Sequence, residues 1–397
     1  MNNSTVRPIK VGIAGAAGSV GSALVRRLHD AGWQVIAATR NRLGAALLNA
    51  AVPGCEIRIG SLTPGGATHP LDDCDVIINC ALAGSGGNPR QAYVRNRALV
   101  DGLMKAKSIR WLIHFSTVAS YGELNRQQSD EQRAFQQPRP DSEYGRSKLD
   151  TERYAVRQTG LRGIKFTALR LGHVYGLGCP RSKEIIEFAL DPHFRLPYDG
   201  RLASNAIRID RLAASIVQLL SSDPPGSIYN FAEYDRTWRQ VFDWHTACLG
   251  RSAVLAMSDE ESDAAHNVYE KASFVLDTLA WLRSLPINDL IRSPAVFDLA
   301  LQILVKTPPW ITEYVTGINR RLGARRIVAQ AGSDQRPTLH PAYYSAGMPG
   351  PFLELATIPT EGLGSEIEYC QALRQWYHQL STPKLPELSQ WSGETRP

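Results

Sequence analysis

The stretch Lys10–Leu28, KVGIAGAAGSVGSALVRRL, constrains the fold more than any other part of this 397-residue chain. Lys10 to Ala14 is short and built mostly of small or β-branched residues, as a strand would be. From Val20 onward the apolar positions fall at Val20, Ala23, Leu24, Leu28 and Ala31, the spacing of one helix face. The change of period happens inside the glycines. Gly12, Gly15, Gly18 and Gly21 recur at every third residue and allow two registers of one motif. Gly12 lies within the strand, so the turn is assigned to Gly15, Gly18 and Gly21. In that register Gly15 turns the chain at the strand end, Gly18 lets the backbone approach a pyrophosphate, and Gly21 lets the helix pack closely on the sheet. The free N–H groups and positive dipole end of the helix then face the phosphates.

The following residues supply what such a turn needs. Trp33 to Ala38 reads as a second strand, ending at Thr39-Arg40-Asn41-Arg42. Dinucleotide folds place an acidic residue near this point to hold the ribose hydroxyls of NAD, or an arginine to accommodate the 2′-phosphate of NADP. Arg40 stands there with no carboxylate, so NADP is expected ahead of NAD. Glu56 to Ile59 and Asp75 to Cys80 read as third and fourth strands, and the glycine-rich loop Ala81 to Gly87 follows, where a ligand crevice is expected. Tyr93 to Ala106 has helical spacing, and Trp111 to Phe115 is a fifth strand ending in Ser116-Thr117. Strands alternating with helices predict an α/β fold with a doubly wound parallel sheet, a Rossmann fold.

Tyr144-Gly145-Arg146-Ser147-Lys148 opens a further helix. Positions four apart share a helix face, so the phenol and the ammonium converge on one point. A nearby positive charge favours the phenolate of a tyrosine, whose free pKa is about 10. Tyr144 is therefore expected to titrate low, under Lys148 and an oxidised nicotinamide, with a hydroxyl from Thr117 or Ser116 holding the substrate oxygen for proton transfer.

The order of these parts resembles the extended short-chain dehydrogenases/reductases, the group of NAD(P)-dependent epimerases and dehydratases. The resemblance runs over about Lys10 to Gly250. It rests on GAAGSVG (Gly15 to Gly21), DVIINCA (Asp75 to Ala81), Asn96, HFSTVASYG (His114 to Gly122), YGRSK (Tyr144 to Lys148), RLGHVYGLG (Arg170 to Gly178), AIRIDRLAASIV (Ala206 to Val217) and IYNFA (Ile228 to Ala232). It implies Tyr144 as acid/base, Lys148 on the nicotinamide ribose, and Thr117 as the hydroxyl, with Ser116 next to it. It also implies Ser19 and Val20 along the pyrophosphate, Cys80 and Ala81 against the cofactor's ribose, Asn96 among the cofactor-site residues, and His173 near the nicotinamide end. The implied reaction is hydride transfer at a carbinol or ketone carbon of a sugar-like substrate, a class that includes nucleotide sugars, by an oxidoreductase or epimerase. A ketoreductase acting on a non-sugar substrate with NADPH is the alternative, and a non-catalytic dinucleotide sensor a further one. Family members often dimerise through two long helices, which here are expected to begin near Tyr93 and Tyr144.

Departures narrow this reading. The family's dehydratases carry Asp-Glu directly after the catalytic Thr, where this chain has Val118-Ala119, so dehydration is disfavoured. Ser61 stands where the family often has an acidic residue for adenosine. Ser204 stands where nucleotide-sugar enzymes usually have an Arg, so either Arg201 or Arg208 substitutes or the substrate carries no uridine diphosphate.

The rest of the sequence excludes more than it assigns. With 43% hydrophobic and 21% charged residues the chain is of ordinary globular composition. No apolar segment at the N-terminus suggests a leader, and the longest apolar run, Ala295 to Val305, is too short to span a bilayer. The six cysteines show no CxxC, so structural zinc and a disulfide framework are not expected, and a cytoplasmic location fits. No metal site is expected. The net charge of +6 is dispersed apart from Arg320 to Arg326, and nucleic acid binding is not expected. The expected organisation is a dinucleotide-binding domain over 1–170, rejoined by 206–232. Residues 171–205 and 233–380 form a substrate-binding or lid region, and 381–397 a loose tail. Pro294 to Lys306 reads as an amphipathic helix, and Pro351 to Leu380 resembles the family's closing helix, with Ile367, Leu373 and Trp376 at helical intervals.

Overall fold

The computed structural model describes residues 8–64, 69–82, 89–121, 140, 143–191, 194–201, 204–222, 228–233, 236–262 and 366–381. Strands β1 (Lys10–Ala14), β2 (Gln34–Thr39), β3 (Glu56–Ile59), β4 (Val76–Asn79), β5 (Trp111–Thr117), β6 (Lys165–Leu171) and β9 (Ile228–Phe231) form a seven-stranded sheet in the order β3-β2-β1-β4-β5-β6-β9. Every neighbouring pair is parallel. The order reverses between β1 and β4, and in open parallel sheets a ligand crevice forms outside the strand ends at such a point.

Alternate residues of each strand face opposite sides, which sets the two cores. Ile13, Val35, Ile78, Ile113 and Phe115 pack under helix α1 (Ser19–Asp30) and helix α6 (Ile209–Ser222), through Leu24, Leu28, Leu212 and Ile216. Ala14, Ile36, Ile77 and Leu112 face the other way, against Val100 and Leu103 of helix α3 (Pro89–Leu103) and Ala155 of helix α4 (Glu143–Gly160). Helix α2 (Arg42–Ala51) is capped by Asn41, whose side chain accepts the Gly44 N–H at 2.8 Å.

A second pair of strands, β7 (His173–Tyr175) and β8 (Ala206–Arg208), runs parallel beyond the end of β6. Helices α5 (Pro180–Leu190) and α7 (Trp238–Leu249) close over it with Tyr175, Phe194, Trp238 and Phe242. Helix α8 (Glu366–Ser381) lies against them through the fully buried Leu373. Leu373 thus faces the core as its spacing implies, but Ile367 is exposed. One expectation is overturned here: Cys248 and Cys370, 122 positions apart, form a disulfide between α7 and α8. A separation this long leaves no spacing signature. The Pro294 to Lys306 helix and the Arg320 to Arg326 cluster lie outside the described residues. Among the described residues no helix is long and apolar enough to cross a membrane, and no group of three or more His, Cys, Asp and Glu is placed to hold a metal ion.

Candidate active site

Where β1 and β4 diverge, glycine is required by contact. Gly15 follows β1 with φ +78°, and a Cβ there would lie 2.8 Å from both the Cα and the N of Ala81. The two strand ends meet because that Cβ is missing, and the Cys80 N–H donates to Ala14 O at 3.0 Å. A Cβ on Gly21 would overlap the Gly15 carbonyl oxygen, so the first helical turn also sits directly on the loop. Gly18 is different: it is extended, and its Cβ would meet only Gly15 O, at 3.4 Å. Gly12 lies inside β1 and packs against Cys74 and Leu71. Arg40 projects into solvent just beyond β2.

The end of β4 is fixed by a short ladder of side chains. Asn79 Oδ1 accepts the Ala81 N–H at 3.1 Å, and its Nδ2 lies 3.1 Å from Nδ1 of buried His114. The amide oxygen is already engaged by Ala81, so Asn79 donates to the imidazole, and the ring proton belongs on Nε2. That Nε2 is enclosed and has no partner. Burial, reinforced by the nearby Lys148 charge, lowers the His114 pKa to about 3.

Thr117, Tyr144 and Lys148 come together at the end of β5. Gly145 explains how: a Cβ there would overlap the Ala119 carbonyl, so α4 can begin close against the turn Val118–Tyr121 that follows β5. Thr117 is buried near Tyr144, and its hydroxyl oxygen accepts the Ala119 N–H at 3.2 Å. One turn further along α4, Lys148 is buried and donates to Phe115 O at 2.9 Å. Burial lowers its pKa to about 8, with Cys80 opposing. In the protein alone, Tyr144 shifts upward. Desolvation of the phenol end raises its pKa, and the nearby Thr117 hydroxyl works against that rise. The Lys148 ammonium spends its hydrogen bond on the β5 backbone, and its field falls on Cys80 and His114. Burial still pushes the Cys80 thiol up to about 12.

The remaining predicted residues are arranged around this point. Ser19 and Val20 open α1 just beyond the glycine turn. Ser116 is buried with its hydroxyl unpartnered. Asn96 lies behind the Tyr144 helix, with Nδ2 3.5 Å from Ser147 Oγ. His173 follows Leu171, which is in register with Thr117, and its ring lies between Arg181 and Trp238. Neither substitute arginine stands as a spare cation. Arg208 is buried in a bidentate pair with Asp210 at 2.7 and 2.8 Å, and Arg201 pairs with Asp259. A network the sequence reading missed braces the floor of the site: Glu152 and Arg170 form a fully buried pair at 2.6 Å, and Arg170 donates to Tyr121, which binds Asn230. Only the alternation of Arg170 with inward apolar residues in an otherwise buried strand hinted at it.

The residues at the β1–β4 crevice suit a dinucleotide. The glycine cradle would be filled by any Cβ at Gly15 or Gly21, and two enclosed polar atoms, Ser116 Oγ and His114 Nε2, lack partners beside it.

A parallel sheet with a crevice at this point is an architecture that binds ligands outside its strand ends, and the chain is similar to known proteins of that architecture. Residues 11–189 match the NAD dependent epimerase/dehydratase family. Over 181 residues the chain is 30% identical to dTDP-6-deoxy-L-talose 4-dehydrogenase (NAD(P)(+)) of Kitasatospora kifunensis, covering 44% of this chain and 55% of that protein. The match thus spans about half the length of this curated relative. The fold is similar to that of UDP-N-acetylglucosamine 4-epimerase from Bacillus cereus, with a TM-score of 0.51, 19% identity, and 63% of this chain and 85% of that chain covered. It is also similar to the Bordetella bronchiseptica enzyme WbmG in complex with NAD, with a TM-score of 0.50, 19% identity, and 65% and 83% covered.

Proposed function

We propose that this chain is an NAD(P)-dependent oxidoreductase or epimerase acting at a carbinol or ketone carbon of a sugar-like substrate, with a nucleotide sugar as the leading class. The observation that carries the reading is the convergence of Thr117 at the end of β5 with Tyr144 and, one turn further along α4, Lys148 bound to Phe115 O, at the strand ends beside the glycine cradle. When bound, the nicotinamide gives or takes the hydride. The protein's task is the proton. Thr117 orients the substrate oxygen, Tyr144 moves the hydroxyl proton, and Lys148, charged below about pH 8, biases the phenol toward release once substrate and cofactor close the site. Gly15, Gly18, Ser19, Val20 and Gly21 would hold the pyrophosphate, with Cys80, Ala81, Asn96, Ser116 and His173 around the ribose and nicotinamide. Arg40 would take a 2′-phosphate, and NADP is accordingly the favoured cofactor. Val118 and Ala119 bring no acid or base beside Thr117, which argues against dehydration.

We assign the sheet and its helices to cofactor binding, and the β7–β8 pair with α5, α7 and α8 to the substrate side. The similarity to a dTDP-sugar dehydrogenase supports a sugar-nucleotide substrate. The test is incubation of the full chain with dTDP- and UDP-hexoses and NADP or NAD, following nicotinamide absorbance and sugar products together. Stoichiometric cofactor reduction identifies a dehydrogenase, and interconversion of two sugars without net reduction identifies an epimerase. Loss of either activity in Tyr144→Phe is expected, and a fully active Tyr144→Phe enzyme would refute the assignment.

A further inference from the structure

Asn205 is the most anomalous polar residue among those described. It lies just before β8 with φ +47°, a left-handed conformation that asparagine tolerates better than other side chains bearing a Cβ. It is 1% exposed, yet neither Oδ1 nor Nδ2 has a hydrogen-bond partner. An enclosed amide with both ends unpaired is destabilising, and glycine would meet the same backbone requirement without it. A turn alone does not explain the residue.

A second unpaired group stands on the same wall. Trp238, at the start of α7, is 3% exposed and its Nε1–H also lacks a partner. His173 connects the two: its backbone N–H donates to Asn205 O at 2.9 Å, and its ring meets the Trp238 ring with centroids 5.4 Å apart. The Ser204 hydroxyl and N–H both donate to Arg236 O at 2.9 Å, which ties the segment before β8 to the start of α7. His173 itself lies two residues past Leu171, the residue in register with Thr117. The unpaired groups therefore flank His173, just past the end of β6, the strand that neighbours the one carrying Thr117.

We infer that Asn205 and Trp238 form a polar subsite for the hydroxyl groups of a neutral, polyhydroxylated ring. The donor and acceptor count selects this chemistry. The pair offers N–H donors together with one carbonyl acceptor. A hydroxyl both donates and accepts and can satisfy all of them, whereas a phosphate or carboxylate would leave Oδ1 facing negative charge. The neighbouring cations are engaged elsewhere, Arg208 by Asp210 and Arg181 by Glu184 at 2.9 Å. The subsite thus reads the sugar, while an anionic leaving portion binds somewhere else. This inference rests on the hydride-transfer reading above.

The test is steady-state kinetics of the full chain with its best dTDP- or UDP-hexose, alongside NADPH titration and thermal melting. Asn205→Gly keeps the left-handed backbone and removes the unpaired amide, and Trp238→Phe keeps the ring and removes the N–H. Expected for Asn205→Gly are an unchanged or higher melting midpoint and unchanged NADPH affinity. Its KM for sugar should rise by about 3- to 10-fold, the worth of one lost hydrogen bond, with kcat much less affected. Trp238→Phe should shift KM in the same direction, and it carries the test alone if the glycine variant does not fold. A wild-type protein that binds no NADPH refutes the functional reading itself. An unchanged KM in both folded, NADPH-binding variants overturns the subsite alone, as does a wild type that binds NADPH and turns over no sugar nucleotide.

Discussion

The glycine registers can be separated by two alanine substitutions. Gly18 is extended, a conformation alanine adopts freely, and its added Cβ would meet only Gly15 O at 3.4 Å. Gly18→Ala therefore costs the fold little beyond a poorer N-cap, about 1 kcal/mol, or a few degrees of melting midpoint in a chain of this size. Binding should suffer far more. The methyl group occupies the space through which a pyrophosphate reaches the Ser19 and Val20 N–H groups, and a hydrogen bond to a charged partner is worth about 1.5–3 kcal/mol. Losing one predicts NADPH affinity weakened by about 10- to 100-fold. Gly12→Ala has the opposite profile. Its Cβ would stand 2.8 Å from Cys74 Sγ and 2.9 Å from a Leu71 methyl, within the core below β1. Overpacking there costs about 1–3 kcal/mol, but the strand end is untouched, so NADPH binding should persist below the melting range. Nucleotide fluorescence titration and thermal melting of the two variants decide the matter. Retained binding in Gly18→Ala with lost binding in a folded Gly12→Ala would refute the assigned register.

Other outcomes follow from the same geometry. Tyr144→Phe should lower kcat by about 10²-fold or more, as loss of a general acid/base does, with NADPH affinity nearly unchanged; equal turnover would exclude Tyr144 from proton transfer. Lys148 loses its charge as pH rises through about 8, so turnover that needs the ammonium should fall over that range, and a flat profile to well above it would contradict the role. His245 is fully buried, and burial lowers its pKa to about 4, while Ser182 Oγ and Val241 O hold its ring nitrogens at 2.8 and 2.7 Å. The unfolded chain binds a proton here below about pH 6.5 and the folded chain does not. Stability from this group is thus fully present above that pH and is lost as pH falls toward 4, by about 3 kcal/mol. His245→Asn should flatten that part of the melting-versus-pH curve, and an unchanged slope would exclude the residue as its source. Glu152→Gln should destabilise the chain by about 3–5 kcal/mol, because it strands the buried Arg170 charge; a melting midpoint close to wild type would show the pair to be unimportant.

The strands and the closeness of Tyr144 to Lys148 were legible in the sequence for a specific reason. Apolar runs such as DVIIN and WLIHF are buried on both faces, so their composition alone marks them, and Glu56–Ile59 matches its expected bounds. The Tyr144 to Lys148 spacing carries its geometry within one helix turn. Features made by tertiary contact were not legible. The direction of the Tyr144 shift depends on how its surroundings desolvate the phenol, and Lys148 gives its hydrogen bond to β5. Arg201 and Arg208 look like anion ligands until Asp259 and Asp210 are seen beside them. The unpaired amide of Asn205 follows from the pairing of β7 with β8 next to α7, a juxtaposition no local pattern encodes.

Dinucleotide binding at the β1–β4 crevice underlies every role proposed for these residues, so the most direct measurement is titration of the full chain with NADPH and NADH, after denaturation of a sample to identify any nucleotide it retains. The expected result is saturable binding of both, with NADPH several-fold tighter than NADH and that preference lost in Arg40→Ala. Binding of neither, in a folded protein that releases no nucleotide on denaturation, would contradict it.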